Sequence, residues 1–197
     1  MPAAARRELI VAAALAEVGE VGYEAASMGR IARASGVSRT VLYDHFPSKL
    51  ALFVELLRVE HAEMLSYMEA AFNSGGSTEA RWRAAFDAFF RWAEERPLGS
   101  RLLYPTRPPL DEDAAREHAR LRAESNRVMA SLLAADARRA GLEPDSARAR
   151  AVFYMHRNAL QAAVRWWRTH PDVSREELVD AALAALWTGF GGMQPTE

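Results

Sequence analysis

The stretch GVSRTVLYDHFPSK, residues 36–49, places a glycine, a helix cap and a polar-studded helix next to one another. Gly36 follows a helical pattern, at a position where a helix end needs a positive φ that glycine adopts easily. Ser38 is a favourable N-cap for the next helix. Pro47 ends that helix, because proline has no backbone N–H to donate. The stretch therefore predicts a tight turn followed by a short helix.

Two apolar residues of this short helix, Leu42 and Phe46, lie four positions apart and so share one face. We expect that face to be buried. Burial of Leu42 and Phe46 leaves Arg39, Thr40 and Tyr43 exposed to solvent.

Another short helix precedes the glycine. Ser27 is its N-cap, and Ile31 and Ala32 point inward. Two short helices joined by a glycine-containing turn have the sequence form of a helix-turn-helix.

The rest of the chain repeats apolar residues every three or four positions, and no convincing alternation typical of strands occurs. A first helix is predicted from about Ala4 to Val18, buried through Leu9, Ala12, Ala13 and Ala16. Later helices are predicted over about 49–72, 78–95, 112–140, 146–169 and 175–190. We therefore assign an all-α fold, with a helix-turn-helix domain over residues 1–48 and a helical body over 49–197.

The amino-acid composition limits the classes of function that the chain can have. With 26 acidic and 25 basic residues the formal net charge is −1, so any contact with nucleic acid must come from a local patch. The absence of cysteine excludes a disulfide framework and thiolate metal sites, and it fits a reducing cytosol. No segment has the length and apolarity of a membrane span, so we expect a cytoplasmic protein without membrane contact.

Motifs of catalysis are absent from the sequence. No histidine has the spacing of a helical di-iron or zinc site, and no phosphate-binding loop or nucleophile elbow occurs. His61 beside Glu60 and His118 beside Glu117 point to different helix faces, so we interpret them as ordinary helix residues. We predict no enzyme, no metal site and no cofactor.

The exposed side chains after Gly36 have chemistry that suits a DNA groove. Arg39 can bind guanine edges, and Thr40 can form a hydrogen bond with a base. Thr40 and Val41 can also touch a thymine methyl. Phosphate-binding side chains follow at Tyr43, His45 and Lys49. Lys49, the only lysine, opposes the dipole at a helix start unless a phosphate lies nearby. The alternative is the solvated face of a helix that merely packs.

Residues 5–52 resemble the DNA-binding domain of the TetR (tetracycline repressor) family. That family combines an Ile-Ala pair, Gly-Val-Ser, a Leu/Phe-Tyr pair, His/Tyr-Phe and Ser/Asn-Lys. These positions are filled here by Ile31, Ala32, Gly36, Val37, Ser38, Leu42, Tyr43, His45, Phe46, Ser48 and Lys49. The rest of the chain matches only in architecture.

The resemblance implies a double-stranded DNA operator as partner. The residues implied in binding it are Ser27, Arg30, Ser38, Arg39, Thr40, Val41, Tyr43, His45 and Lys49. Two residues depart from the family. Gly29 replaces a side chain that often reaches DNA, and Asp44 places an acid in the recognition helix. We expect Asp44 to point away from DNA or to pair with Arg30 or Arg33.

The resemblance also implies that the body binds a small effector and forms a homodimer through its last two helices. Residues predicted to line an effector pocket are Trp82, Phe86, Phe89, Tyr104, Met129, Tyr154 and Asn158. Residues predicted at the dimer interface are Leu160, Val164, Trp167, Val179, Ala182, Leu186 and Phe190. The interface residues are equally typical of a packed internal core, and aromatic stripes at helical spacing line a core more often than a pocket. The effector is unidentified, and the aromatic lining favours an apolar or aromatic compound.

Taken together, the resemblance implies a ligand-responsive transcriptional regulator. We expect a repressor that leaves a palindromic operator when a small molecule binds the body and moves the helix beginning at Lys49. The alternative is a helical small-molecule-binding adaptor with weakened or lost DNA binding, which Gly29 and Asp44 keep open.

Overall fold

The computed structural model of the chain describes residues 2–73, 75–139 and 141–187. Within these ranges the regular structure is helical, without strands, so the predicted all-α class is confirmed. The helices are α1 (Ala3–Ala25), α2 (Met28–Ala34), α3 (Arg39–His45), α4 (Lys49–Phe72), α5 (Thr78–Glu95), α6 (Pro97–Leu103), α7 (Glu112–Arg139), α8 (Ala147–Trp167) and α9 (Arg175–Ala182), followed by a π-helical turn over Leu183–Trp187. None of these helices is long and apolar enough to cross a membrane.

The first compact unit comprises Met1–Glu63 and Arg96–Glu124. In it, α1 packs against α2 and against α6. α1 is longer than predicted, and it is interrupted at Gly22, whose φ of 82° is not helical. The short stretch before the prolines at 105–109, which was not among the predicted helices, forms α6.

The predicted buried stripe of α1 is wrong. Leu9 is 45% exposed, and the buried side chains are Ile10, Ala14 and Val18 instead. These three follow one another at intervals of four and include two β-branched residues, Ile10 and Val18. Burying them removes more apolar surface from water than burying one leucine with small alanines, so the helix rotates toward Ile10 and Val18.

The second compact unit comprises Met64–Glu95 and Ser125–Glu197. In it, α5 packs against α9 and the π-helical turn. Arg81 on α5 and Asp136 on α7 form an ion pair of 2.5 Å, and Asp136 is only 3% exposed. A capping box made by Ser174 and Glu177 begins α9.

These two units divide the chain differently from the predicted boundary between residues 48 and 49, which remains a prediction. α6 groups with the N-terminal helices because its backbone lies close to α1. A Cβ placed on Gly19 would stand 2.9 Å from Leu98 Cβ, so only glycine permits this approach.

Candidate nucleic-acid interface

Helix α3 begins and is oriented as its sequence predicts. The Ser38 hydroxyl accepts a hydrogen bond of 3.2 Å from the backbone N–H of Val41. Leu42 and Phe46 are 0% and 3% exposed, and they anchor the helix in the first unit. The opposite face is exposed through Arg39, Thr40 and Tyr43. The predicted division of α3 into a buried and an exposed face is therefore confirmed.

The turn between α2 and α3 has the predicted glycine geometry. Gly36 has a φ of 70°, a value that most other residues adopt only with strain. The backbone N–H of Val37 then donates to the carbonyl of Ala32 across 3.1 Å and closes the end of α2. At the other end of α2, the Ser27 hydroxyl accepts from the N–H of Arg30, as its capping role predicts.

Arg39, the first residue of α3, lies against the backbone of Gly29 in α2. A Cβ built on Gly29 would stand 2.3 Å from Arg39 Nη2 and 3.0 Å from Cζ. Gly29 is buried although Arg39 is exposed, so the guanidinium covers α2 at this point. The missing side chain of Gly29 thus makes room for the guanidinium. The sequence alone indicated only the loss of a DNA contact there.

Arg30 is engaged within the chain rather than free on the surface. Its Nε donates to Glu17 Oε1 across 2.6 Å, and its Nη2 donates to the carbonyl of Ala25 across 2.7 Å. Glu17 also accepts from the N–H of Ser27 at 2.9 Å. The hydrogen bond from Arg30, together with that from Ser27, holds the pKa of the Glu17 carboxyl below its ordinary value. Arg30 therefore fixes α2 on α1, and its contact with DNA stays a prediction.

Lys49 ties the start of α4 to the end of α1. Its ammonium donates to the carbonyl of Glu24 across 2.9 Å and lies 4.6 Å from the centre of the Tyr23 ring. The Glu24 carboxylate in turn accepts from the N–H of Leu110 at 2.5 Å. The structure thus gives the lysine a packing role that the sequence did not reveal, while its phosphate contact stays a prediction.

Asp44 is exposed on α3 and its carboxylate has no partner among the residues that the structure describes. The expected pairing with Arg30 is not formed, because Arg30 is bound to Glu17. Arg33 is exposed and likewise forms no ion pair within the described ranges. The acid therefore remains a local negative charge on the recognition helix. Of the remaining predicted DNA-binding side chains, Val41 and His45 are half-buried.

Comparison with known proteins agrees with this geometry. The family model of bacterial regulatory proteins of the tetR family matches residues 10–56, the segment that contains both helices and the turn. A TetR-like transcriptional regulator from Rhodococcus sp. RHA1 shares the fold with a TM-score of 0.76 at 19% identity, over 98% of this chain and 99% of that one.

Residues 10–56 form a DNA-binding domain of the TetR family. A curated relative, the HTH-type transcriptional activator FasR of Mycolicibacterium smegmatis, is 29% identical over 94% of this chain and 82% of its own length. The regulator FadR of Bacillus subtilis, solved in complex with stearoyl-CoA, has a TM-score of 0.77 at 14% identity over 95% of this chain and 99% of its own. With this domain, the chain is a DNA-binding transcriptional regulator.

The residues predicted to line an effector pocket do not come together in one unit. Tyr104 belongs to the first unit, and the others belong to the second. Trp82 and Phe86 pack edge to face with ring centres 5.6 Å apart, and both are buried with Phe89 in the core of the second unit. The aromatic side chains of α5 thus pack in a core. A packed core was the alternative to a pocket for these residues.

The other predicted pocket residues are more exposed. Tyr154 on α8 is 62% exposed, Met129 is half-buried, and the Asn158 amide donates to the carbonyl of Tyr154 across 2.6 Å. A small cavity of about 70 Å³ lies instead in the first unit. It is lined by Val18, Gly22, Tyr23, Glu24, Phe53, Arg101, Leu102, Pro105, Arg107, Pro109 and His118, none of which was predicted to bind an effector.

Two of the predicted dimer-interface residues are buried within the chain itself. Val164 and Val179 are 1% and 3% exposed, so packing inside the second unit already covers them. Leu160, Trp167, Ala182 and Leu186 are half-buried, and Phe190 lies outside the described residues. The large exposed apolar side chains of α8 are Tyr154, Met155 and Trp166.

Proposed function

We propose that this protein is a homodimeric, ligand-responsive regulator that binds a palindromic operator in the cytoplasm. The exposed face of α3 is the observation that supports it. Arg39, Thr40 and Tyr43 project from a helix whose other side is locked in the core by Leu42 and Phe46. A rigid helix with this composition suits a major groove, which accepts an α-helix.

In the proposed complex, Arg39, Thr40 and Val41 contact base edges, and Tyr43 and His45 contact phosphates. Two features of the scaffold assist this contact. Ser38 fixes the start of α3 through its cap, and Glu17 holds α2 in place through Arg30. Preorganised side chains bind with less loss of conformational entropy than mobile ones.

The palindrome follows from the dimer. A helix-turn-helix that reads one half-site gains affinity when a second copy reads the other, about one helical turn away. We propose that the dimer forms across the last two helices, with Tyr154, Met155 and Trp166 of α8 in the contact. Large apolar side chains exposed along one helix favour a covered interface.

The proposed effector is a molecule with a long apolar chain or an aromatic ring, bound by the helical body. The FadR protein that shares this fold was solved with stearoyl-CoA, which makes an acyl thioester the first ligand to test. The effector can cause the protein to dissociate from DNA if it binds more tightly to the conformation that does not bind the operator.

The sign of regulation depends on where the operator lies. The FasR relative is named an activator, whereas the sequence led us to expect a repressor. We propose that the effector-free dimer binds the operator in either case. It then represses when the operator overlaps the promoter, and the position of the operator determines any activation.

Selection of DNA from a random duplex pool by the full-length protein tests the proposal. We expect two inverted half-sites about one helical turn apart, and lower affinity for them when stearoyl-CoA, but not coenzyme A alone, is added. A pool that yields no preferred sequence would contradict DNA reading. Unchanged affinity with stearoyl-CoA would exclude this acyl thioester as the effector.

A second candidate function is an adaptor that binds small molecules and has lost DNA binding. The unpaired carboxylate of Asp44 on α3 supports it, because an acid next to phosphates weakens binding. The variant Asp44→Asn distinguishes the two functions. An affinity for DNA that appears only in the variant favours the adaptor, whereas measurable affinity in both proteins favours the regulator.

A further inference from the structure

We infer that Gly29 is a specificity-determining residue that acts through Arg39. The inference rests on the proposed function, since it assumes that α3 reads DNA, and it explains how one guanidinium is aimed. Arg39 Nη2 would lie 2.3 Å from a Cβ on Gly29, far below any real contact distance. Every residue other than glycine would therefore displace the guanidinium from its observed position.

The side chain of Arg39 contacts the backbone of Gly29, and this contact joins two helices. Arg39 begins α3 and Gly29 lies in the first turn of α2, so the guanidinium bridges the two elements of the helix-turn-helix. Its Cζ and Nε would stand 3.0 and 3.1 Å from the same Cβ, which means that the whole planar group lies over the glycine. A planar group resting on a flat backbone surface has fewer orientations than one in open solvent.

This orientation matters for reading bases. Arginine discriminates guanine by donating two parallel hydrogen bonds, and that geometry tolerates little rotation of the guanidinium plane. Arg39 forms no ion pair with any residue that the structure describes. Glu17 binds Arg30, and Asp44 has no partner within the described ranges. Gly29 is thus the neighbour that limits where the guanidinium lies.

The variant Gly29→Ala isolates this effect. Gly29 is helical, and its backbone does not have the positive φ that favours glycine, so alanine fits the helix and slightly favours it. The clash falls on the end of a flexible side chain, which moves away without unfolding the protein. We therefore expect unchanged or higher thermal stability, together with a displaced Arg39.

The test measures binding of full-length protein to the selected operator and to the same duplex with single base changes. We expect Gly29→Ala to lower affinity about tenfold or more, and to relax preference at one base position of each half-site. The position should be the one that Arg39→Ala also relaxes. Binding to a random duplex and the salt dependence should not change, because no charge is removed.

A double variant decides whether Gly29 acts through Arg39. In the Arg39→Ala background, Gly29→Ala should have no further effect on base preference. Arg33→Ala is the matched control, because it removes an exposed arginine from α2 and should alter salt dependence without altering preference at that position.

Three outcomes overturn the inference. The first is an unchanged base preference in Gly29→Ala, and the second is an effect of equal size with and without Arg39. A wild-type protein that selects no sequence would overturn the proposed function and this inference with it. Sequence selection by the wild type with no effect of Gly29→Ala would overturn only the inference.

Discussion

The ammonium of Lys49 lies 2.9 Å from the backbone carbonyl of Glu24 and packs over the ring of Tyr23. The single lysine of the chain therefore joins the first turn of α4 to the last turn of α1. A compact ammonium can donate to one carbonyl and face an aromatic ring at once.

Lys49→Met should destabilise the protein by about 1 kcal/mol. Methionine keeps most of the apolar stem, but it removes the hydrogen bond and the cation over the ring. Urea unfolding followed by circular dichroism measures the change. If Lys49 also contacts phosphate in the proposed complex, the slope of log affinity against log salt falls by about one. An unfolding midpoint equal to that of the wild type would show that the Glu24 contact contributes nothing.

Arg96→Met should cost about 3 kcal/mol or more. Glu60 is 1% exposed, and Arg96 binds both of its carboxylate oxygens, with Nε 3.0 Å from Oε2. Removing the arginine leaves a buried charge, which is far more costly than losing an exposed ion pair. Urea unfolding measures the loss.

The double variant Glu60→Met with Arg96→Met is its control. Replacing both charges by apolar side chains of similar length should recover most of the stability, because no buried charge is left unpaired. A double variant less stable than Arg96→Met alone would contradict this explanation.

The free energy of unfolding should decrease as the pH is lowered, because of His61. This side chain is 5% exposed, and neither ring nitrogen has a hydrogen-bond partner among the residues that the structure describes. Burial, with the nearby charges of His118 and Arg122, lowers the pKa of His61 to about 4. The unfolded chain takes up this proton near pH 6.5, so between pH 6.5 and 4 the unfolded state binds more protons and is favoured.

Protonation of His61 in the unfolded state should lower the free energy of unfolding by about 2 kcal/mol between pH 7 and pH 5. His61→Leu should flatten this part of the pH profile and raise stability at pH 5, because leucine takes up no proton in the folded or the unfolded state. Thermal unfolding at several pH values measures both effects. A profile of the same steepness in wild type and variant would assign the pH dependence to other groups.

Met155→Arg should dissociate the proposed dimer without unfolding the chain. Met155 is 61% exposed on α8, so a charge there is harmless in the monomer and costly in a dry interface. Sedimentation velocity measures the change in mass. Leu110→Arg is the matched control, because Leu110 is 86% exposed in the first unit and should leave the mass unchanged. A Met155→Arg protein that keeps the wild-type mass would place the interface elsewhere.

Much of the helix-turn-helix could be predicted because its signals are local. Ser27 and Ser38 cap helices within three residues, Gly36 forms the turn through its own φ, and Leu42 and Phe46 share a face by spacing alone. None of these features depends on how distant helices cross.

Features that depend on helix crossing could not be predicted. The position of Arg39 over Gly29 and the bond from Lys49 to Glu24 join residues whose separation in space is set by packing. The stripe of α1 was misassigned because a run of alanines and leucines offers several faces of similar hydrophobicity. Periodicity also cannot separate a filled aromatic core from a pocket, as Trp82 and Phe86 illustrate.

The most direct test of the central claim is the affinity of Arg39→Ala for the selected operator and for a random duplex at the same salt concentration. We expect a loss of about 1–3 kcal/mol on the operator beyond any loss on the random duplex, because Arg39 reads bases from the exposed face of α3. Equal losses on the two duplexes, or no loss on either, would contradict base reading by Arg39.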